Sequence, residues 1–318
     1  MPSGDKTLLG LMDHLSFFWV SPDRDKYLRS LETEFYKRAV ETVRVNRLSL
    51  PPLPDAILSI QHASKQPETT MRDIANLLME DPSLCGAVLK AANSALFAPR
   101  ATGQCKDIQT AVSRLGVDRV LGIITAAAIH QLKNDATFSR DCNALLKQSA
   151  QKSREFAAAM ALVTQTIRRY CDEPLSVEPE KALIVGLLAD IGLYSVIGEF
   201  QRFIHEGHYL QFDIAEQVFF ALAGDCSRLV LKQWAFDRDF IEVAINNKLY
   251  TQPRPEVTYL DVARMANHLL MFRNHDDAIE EHEVEITAPG AEALYELSNL
   301  DDGEFSRQLN HVIDATSI

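Results

Sequence analysis

The chain has 318 residues, of which 47% are hydrophobic, so it can form one large or two ordinary domains around a real core. Its formal net charge of −12 at pH 7 argues against an extended phosphate-binding surface, and therefore against nucleic acid as a partner. Thirteen glycines and thirteen prolines are few for this length and argue against a loop-rich all-β fold. Five widely spaced cysteines are typical of reduced thiols, which predicts a cytoplasmic protein.

Membrane association is not expected from the sequence. The N-terminal apolar patch Leu8–Val20 is interrupted by polar residues and lacks a basic leader. The longest uncharged apolar run, Val120–Ile129, has about half of the ~20 residues needed to cross a bilayer. We therefore predict neither a secretion signal nor a membrane span.

Apolar residues recur at spacings of three and four through most of the chain, which predicts an all-α fold. The predicted helices in the first half are 25–44, 55–64, 70–79, 82–92, 107–116 and 118–132. The proline-rich stretch 50–54 forms a boundary after the first of them. Thr70 with Asp73 resembles a capping box, and Asp81 before Pro82 is a strong helix start.

The second half of the chain is predicted to be helical as well. The predicted helices are 141–170, 180–197, 213–223, 226–234, 238–249 and 258–271, followed by two short C-terminal helices. The acidic stretch 274–285 is interpreted as a solvated segment. Three histidines, His268, His275 and His282, flank it and would share one face only if the helix were continuous.

Several motifs in a fixed order resemble the HDOD domain, a helical relative of the HD hydrolases found in bacterial signalling proteins. Residues 50–54 read Leu-Pro-Pro-Leu-Pro, residues 81–84 read Asp-Pro-Ser-Leu, and residues 93–95 read Asn-Ser-Ala. Downstream, residues 186–192 read Gly-Leu-Leu-Ala-Asp-Ile-Gly. The resemblance implies an HD-domain-like multi-helical bundle with an N-terminal helical subdomain.

The resemblance also implies a division of the chain. We expect an N-terminal helical extension (1–45), an HDOD domain (46–250) and a C-terminal helical continuation of the core (251–318). Within the HDOD domain, the N-terminal helical subdomain is expected at 46–135 and the HD-like core at 140–250. The first 45 residues are too few for a receiver domain.

The metal site of the HD hydrolases is expected to be degenerate here. In those enzymes a His-Asp pair binds a divalent ion that activates water. The positions that the resemblance assigns to the site read Gln148, Ala189, Asp190, Cys226 and Asn247. Only the carboxylate of Asp190 is retained, so we predict no metal and no other cofactor. A buried Asp190 would instead accept backbone N–H groups or pair with an arginine.

The resemblance therefore implies a non-catalytic signalling module that binds a protein partner. One alternative is a divergent metal-dependent phosphohydrolase that uses Asp190 with Cys226. Another is a sensor that binds a nucleotide or other anion. The basic residues of the long predicted helix are candidates for an anion pocket, although such residues more often form its solvated face: Lys147, Lys152, Arg154, Arg168 and Arg169.

Two motifs outside the metal positions could be structural or could contact a partner. The first motif is Asp81 with Pro82, and the second is Asn93 with Ser94. Asn93 is interpreted as a buried polar link between two helices or as part of a docking surface. The pair His205 and His208 is interpreted as an exposed helix end. No sequence feature specifies the oligomeric state.

Overall fold

The computed structural model describes residues 33–97, 103–171, 174–247, 257–277, 279 and 284–314. Within these ranges the regular structure is helical and there is no strand, which confirms the predicted all-α class. The N-terminal helices are α1 (Glu34–Arg44), α2 (Asp55–Ala63), α3 (Met71–Leu78), α4 (Pro82–Ala92), α5 (Ile108–Leu115) and α6 (Val117–Asn134). The later helices are α7 (Arg140–Arg169), α8 (Pro179–Leu188), α9 (Gly192–His205), α10 (Phe212–Gln233), α11 (Arg238–Ala244), α12 (Tyr259–Arg273), α13 (Ala288–Ser298) and α14 (Asp302–Asp314).

Side-chain caps fix the helix starts in the N-terminal half. The hydroxyl of Thr70 accepts from the backbone of Asp73, whose carboxylate accepts from the backbone of Thr70. The carboxylate of Asp81 accepts from the first backbone N–H groups of α4, with Pro82 at the first helical position. Asp107 caps α5 in the same way. These starts were predicted, because the capping signals are local in sequence.

The long helix α7 lies at the centre of the molecule. It packs against α6, α8, α9, α12, α13 and α14. The helices α2–α6 pack mainly on one another, and α6 also contacts α7 and α8. The helices α9 and α10 pack together and are covered by α1, where the ring of Phe35 lies 5.3 Å from Phe200 and 5.4 Å from Phe203. The helix α6 therefore connects the other N-terminal helices to the core, which is formed by α7 and the helices that follow it.

Three predicted helices have different bounds in the structure. The predicted helix 180–197 is two helices, α8 and α9, separated by a turn at residues 189–191. The predicted helices 213–223 and 226–234 are the single helix α10. Gly224 within α10 does not end the helix; a Cβ there would lie 3.1 Å from the carbonyl oxygen of Ala244, so glycine allows α11 to approach.

The ends of two other helices also differ from the prediction. The helix predicted to span 238–249 ends at Ala244, because Asn246 adopts a left-handed conformation (φ 47°) and its side-chain oxygen accepts from Arg264 at 3.0 Å. Residues 248 and 249 lie outside the described residues. The helix predicted to begin at residue 25 is described only from Glu34, with Thr33 as its cap. The apolar patch Leu8–Val20 lies outside the described residues.

One stretch of the described chain is long and apolar enough to cross a membrane by length and composition alone. It spans Pro179–His205, the segment that contains α8 and α9. Because 89% of its most apolar 18-residue stretch is buried inside the protein, this segment resembles the helices of a protein core.

Candidate functional site

The turn between α8 and α9 places Asp190 inside the core, with 2% of its surface exposed. Two glycines allow this position. A Cβ on Gly186 would lie 2.6 Å from the Cα of Ala157, so α8 packs directly on the backbone of α7. The N–H of Gly192 donates to the hydroxyl of Ser227 at 2.9 Å, which fixes the start of α9 on α10. The two glycines therefore hold the Asp190 carboxylate beside α7.

The carboxylate of Asp190 is paired with a lysine that comes from α6. The Nζ of Lys133 lies 2.6 Å from Oδ1 of Asp190, and both side chains are almost completely buried. The hydroxyl of Ser149, on α7, donates to Oδ2 of the same carboxylate. Both carboxylate oxygens of Asp190 therefore have a partner that belongs to the protein.

The ammonium of Lys133 is also fully engaged. In addition to Asp190, it donates to the hydroxyl of Ser149 at 2.9 Å and to that of Ser153 at 3.4 Å. The hydroxyl of Ser153 in turn donates to the backbone carbonyl of Ser149 at 2.7 Å. The three N–H donors of the ammonium thus face three oxygen acceptors. We refer to Lys133, Ser149, Ser153 and Asp190 as the Asp190 site.

Burial and the neighbouring charge shift the pKa of Lys133 in opposite directions. Desolvation lowers the pKa of Lys133, whereas the adjacent Asp190 carboxylate favours its protonated form. Because each charge is buried, each depends on the other for compensation. We predicted that Asp190 accepts backbone N–H groups or pairs with an arginine; the partners of its carboxylate are instead the ammonium of Lys133 and the hydroxyl of Ser149.

The other positions assigned to the metal site do not surround Asp190 with ligands. The residue of α7 that faces Asp190 is Ser149, whereas Gln148, one position earlier, is half-buried. Ala189 is buried and presents only a methyl group. Burial raises the pKa of the Cys226 thiol, which keeps it protonated. Asn247 is exposed and lies beyond the end of α11, not on it.

Within the described part of the chain, no three or more His, Cys, Asp or Glu residues are grouped so that they could hold a metal ion. Lys133, Ser149 and Ser153 were not identified from the sequence as site residues. A signal for Lys133 was present, because it follows Ile129 by four residues and Ala126 by seven on the apolar face of α6.

The Asn93 motif has a local structural role. Its side-chain oxygen accepts from the N–H of Cys105 at 2.6 Å, and its Nδ2 donates to the carbonyls of Cys105 at 2.9 Å and Leu89 at 3.0 Å. Asn93 therefore links the end of α4 to the segment before α5. The expectation of a buried link between two helices is wrong, because Asn93 is exposed and one of its partners is a loop residue. Ser94 donates to the carbonyl of Ala91.

The remaining polar candidates make separate contacts. Arg168 donates to the carbonyl of Val177 at 2.7 Å, Arg169 pairs with Glu296 at 2.8 Å, and Lys152 pairs with Glu155 at 3.5 Å. Lys147 is exposed, and Arg154 is half-buried. Lys152, Arg168 and Arg169 therefore each contact a different residue.

The histidines outside α6 do not form a shared site where they are described. His205 is exposed at the end of α9, and the ring of His208 stacks on Phe203 at 4.5 Å. The helix α12 ends at Arg273, and His275 has a left-handed backbone (φ 52°), so His268 and His275 are not on one continuous helix. His282 lies outside the described residues.

We expect a pH dependence of stability from His130, one helical turn before Lys133. Burial, together with the charges of Arg154 and Lys133, lowers the pKa of His130 to about 4. The unfolded chain takes up this proton near pH 6.5, so stability is lost as pH falls from 6.5 towards 4. Partial exposure of the ring reduces the expected loss to about 2 kcal/mol.

Urea unfolding at pH 7, 5.5 and 4.5 measures this loss, with His130→Gln as the control that cannot titrate. The wild type should lose more stability than His130→Gln over this range. Equal losses in the two proteins would contradict the assignment.

The helical architecture is that of an HD-like protein. A solved structure from Shewanella amazonensis SB2B, provisionally named a metal-dependent phosphohydrolase, aligns with a TM-score of 0.67 at 19% identity, covering 92% of this chain and 99% of that chain. At this identity the likeness shows the fold. A solved HDOD domain protein of unknown function from Geobacter sulfurreducens aligns with a TM-score of 0.48 at 19% identity, over 87% of this chain and 98% of that one.

Sequence comparison defines the family. Residues 50–249 match the HDOD domain, which is more than half of the chain, so this protein belongs to the HDOD domain family. An uncharacterized protein of Treponema pallidum (strain Nichols) is 28% identical over 143 residues. The match covers 45% of this chain and 25% of that protein, so it spans a quarter of the relative's length.

Proposed function

We propose that this HDOD protein is a non-catalytic regulatory module that acts in the cytoplasm by binding a protein partner in a signalling pathway. The observation that carries the proposal is the set of contacts made by the Asp190 carboxylate. The resemblance predicts that this carboxylate is the one group kept from the HD metal site, and the carboxylate is already paired with Lys133 and Ser149. A regulatory role without turnover requires no metal at this position.

The donor set of the Asp190 site does not fit a divalent metal ion. Such an ion requires several oxygen or nitrogen ligands in a fixed geometry. Here one carboxylate and two hydroxyls surround an ammonium group, which has no lone pair and repels a second cation. A hydrolytic step through a metal at Asp190 is therefore not expected.

The alternative is a divergent metal-dependent phosphohydrolase that retains Asp190. The retained carboxylate and the name given to the Shewanella protein favour it. The two functions differ in a direct assay, namely hydrolysis of bis(p-nitrophenyl) phosphate and of cyclic nucleotides with Mn²⁺, Mg²⁺, Fe²⁺ or Ni²⁺ present. We expect no turnover above that of buffer with metal. Turnover that is lost in an Asp190→Asn variant whose circular dichroism shows it still folded would establish the phosphohydrolase and overturn the proposal.

A nucleotide or other anion is the second candidate ligand for a non-catalytic module. A thermal-shift titration with nucleotides distinguishes it from a protein partner, because a ligand that binds only the native state raises the Tm in proportion to the logarithm of its concentration. We expect no concentration-dependent rise. A rise in Tm that continues with the logarithm of the concentration of one nucleotide class would replace the protein partner by that ligand.

A further inference from the structure

We propose that the ammonium group of Lys133 acts as a tethered cation at Asp190, joining the N-terminal helices to the core through the position where a metal would have to bind. The inference rests on the proposed function in one respect, the absence of a divalent ion at Asp190.

The first support is the arrangement of the donors and acceptors. One ammonium group contacts a carboxylate oxygen at 2.6 Å and two hydroxyl oxygens at 2.9 and 3.4 Å. These acceptors come from two separate elements, the α8–α9 turn and α7. Lys133 itself comes from a third element, the last turn of α6. A single cation therefore joins three parts of the chain, as a bound ion would.

The second support is the position of α6 between the two halves of the protein. The helix packs on α2, α4 and α5, all N-terminal helices, and on α7 and α8 of the core. Its lysine side chain is 1% exposed and its partner Asp190 is equally buried. Any separation of α6 from α7 and α8 would break the ion pair between Lys133 and Asp190, so the ion pair resists this movement.

The third support is charge balance. The Asp190 site contains one positive and one negative charge, and its two hydroxyls are neutral. Without Lys133, an uncompensated carboxylate would lie in the core beside a cavity the size of the missing side chain. Such a cavity should accept a small cation that matches the missing atoms.

The test is chemical rescue of Lys133→Ala. This substitution removes Cγ, Cδ, Cε and Nζ, which together correspond to n-propylammonium. We expect Lys133→Ala to lower the Tm by roughly 10 °C, since it leaves a buried charge unpaired. n-Propylammonium at about ten times its Kd should restore roughly 3 °C. Neutral 1-propanol and the double variant Lys133→Ala/Asp190→Asn should show no such rise.

The outcomes separate the two proposals. An equal rise with 1-propanol, or in the double variant, would show cavity filling alone and overturn the tethered cation. Absence of rescue would overturn it as well, while leaving the proposed function intact if the wild type binds no Mn²⁺. One-to-one binding of Mn²⁺ at Asp190 in the wild type would overturn both.

Should Lys133→Ala not fold, a double-mutant cycle with Lys133→Met and Asp190→Asn replaces the rescue. Methionine retains the packing of the lysine stem and removes the charge. We expect the double variant to lose less stability than the sum of the single losses. Additive losses would contradict a direct ion pair.

Discussion

Gly192→Ala should destabilise the protein by about 3 kcal/mol or more, because its added Cβ would collide with the backbone of α10. That Cβ would lie 2.6 Å from the carbonyl carbon of Cys226, and closer still to the backbone nitrogen of Ser227 and the carbonyl oxygen of Ala223. Backbone atoms of a buried helix cannot move aside as a flexible side chain can. The measurement is urea-induced unfolding followed by circular dichroism.

Gly198→Ala is the matched control for this substitution. It lies on the same helix, and a Cβ at Gly198 would have no neighbour within 4 Å. Because alanine favours a helix interior over glycine, this variant should be neutral or more stable by up to ~1 kcal/mol. Similar unfolding midpoints for the two variants would contradict the close packing of α9 on α10.

The second large effect is expected for Asp190→Ala, which leaves the ammonium of Lys133 buried without its carboxylate. The expected loss of stability is about 3–5 kcal/mol. Lys133→Met/Asp190→Leu should recover much of this loss, since it removes both charges and retains apolar volume. A carboxylate that served only in catalysis could be removed with little change in stability.

Asp225→Ala controls for the loss of an ordinary ion pair. Asp225 contacts Arg228 at 3.1 Å on the surface of α10, where 53% of its side chain is exposed. An exposed pair of this kind contributes ~1 kcal/mol or less. If Asp190→Ala unfolds at the same urea concentration as Asp225→Ala, the structural role of Asp190 is wrong.

The parts of the fold that depend on neighbouring residues were predictable from the sequence. Thr70, Asp81 and Asp107 each satisfy backbone donors within three residues, so the helix starts that they predict are present. The 3.6-residue periodicity likewise predicted the long helix α7. In these places local chemistry and tertiary packing favour the same structure.

The parts that depend on distant contacts were not predictable in the same way. The turn between α8 and α9 depends on the approach of α10 to Gly192, and the relevant hydrogen bond joins Gly192 to Ser227, 35 residues away. Lys133 meets Asp190 across 57 residues. The sequence indicated that a buried Asp190 needs backbone N–H groups or an arginine as a partner, but periodicity alone cannot identify which residue the fold brings to it.

In this protein a lysine, and not a metal, should compensate Asp190. Titration of the metal-free wild type with Mn²⁺, followed by electron paramagnetic resonance of the free ion, measures whether a metal binds at this position. We predict no saturable site at micromolar Mn²⁺, with the same free-ion signal for the wild type and Asp190→Asn. One Mn²⁺ bound per wild-type chain, and none in Asp190→Asn, would show that a metal ion compensates the carboxylate.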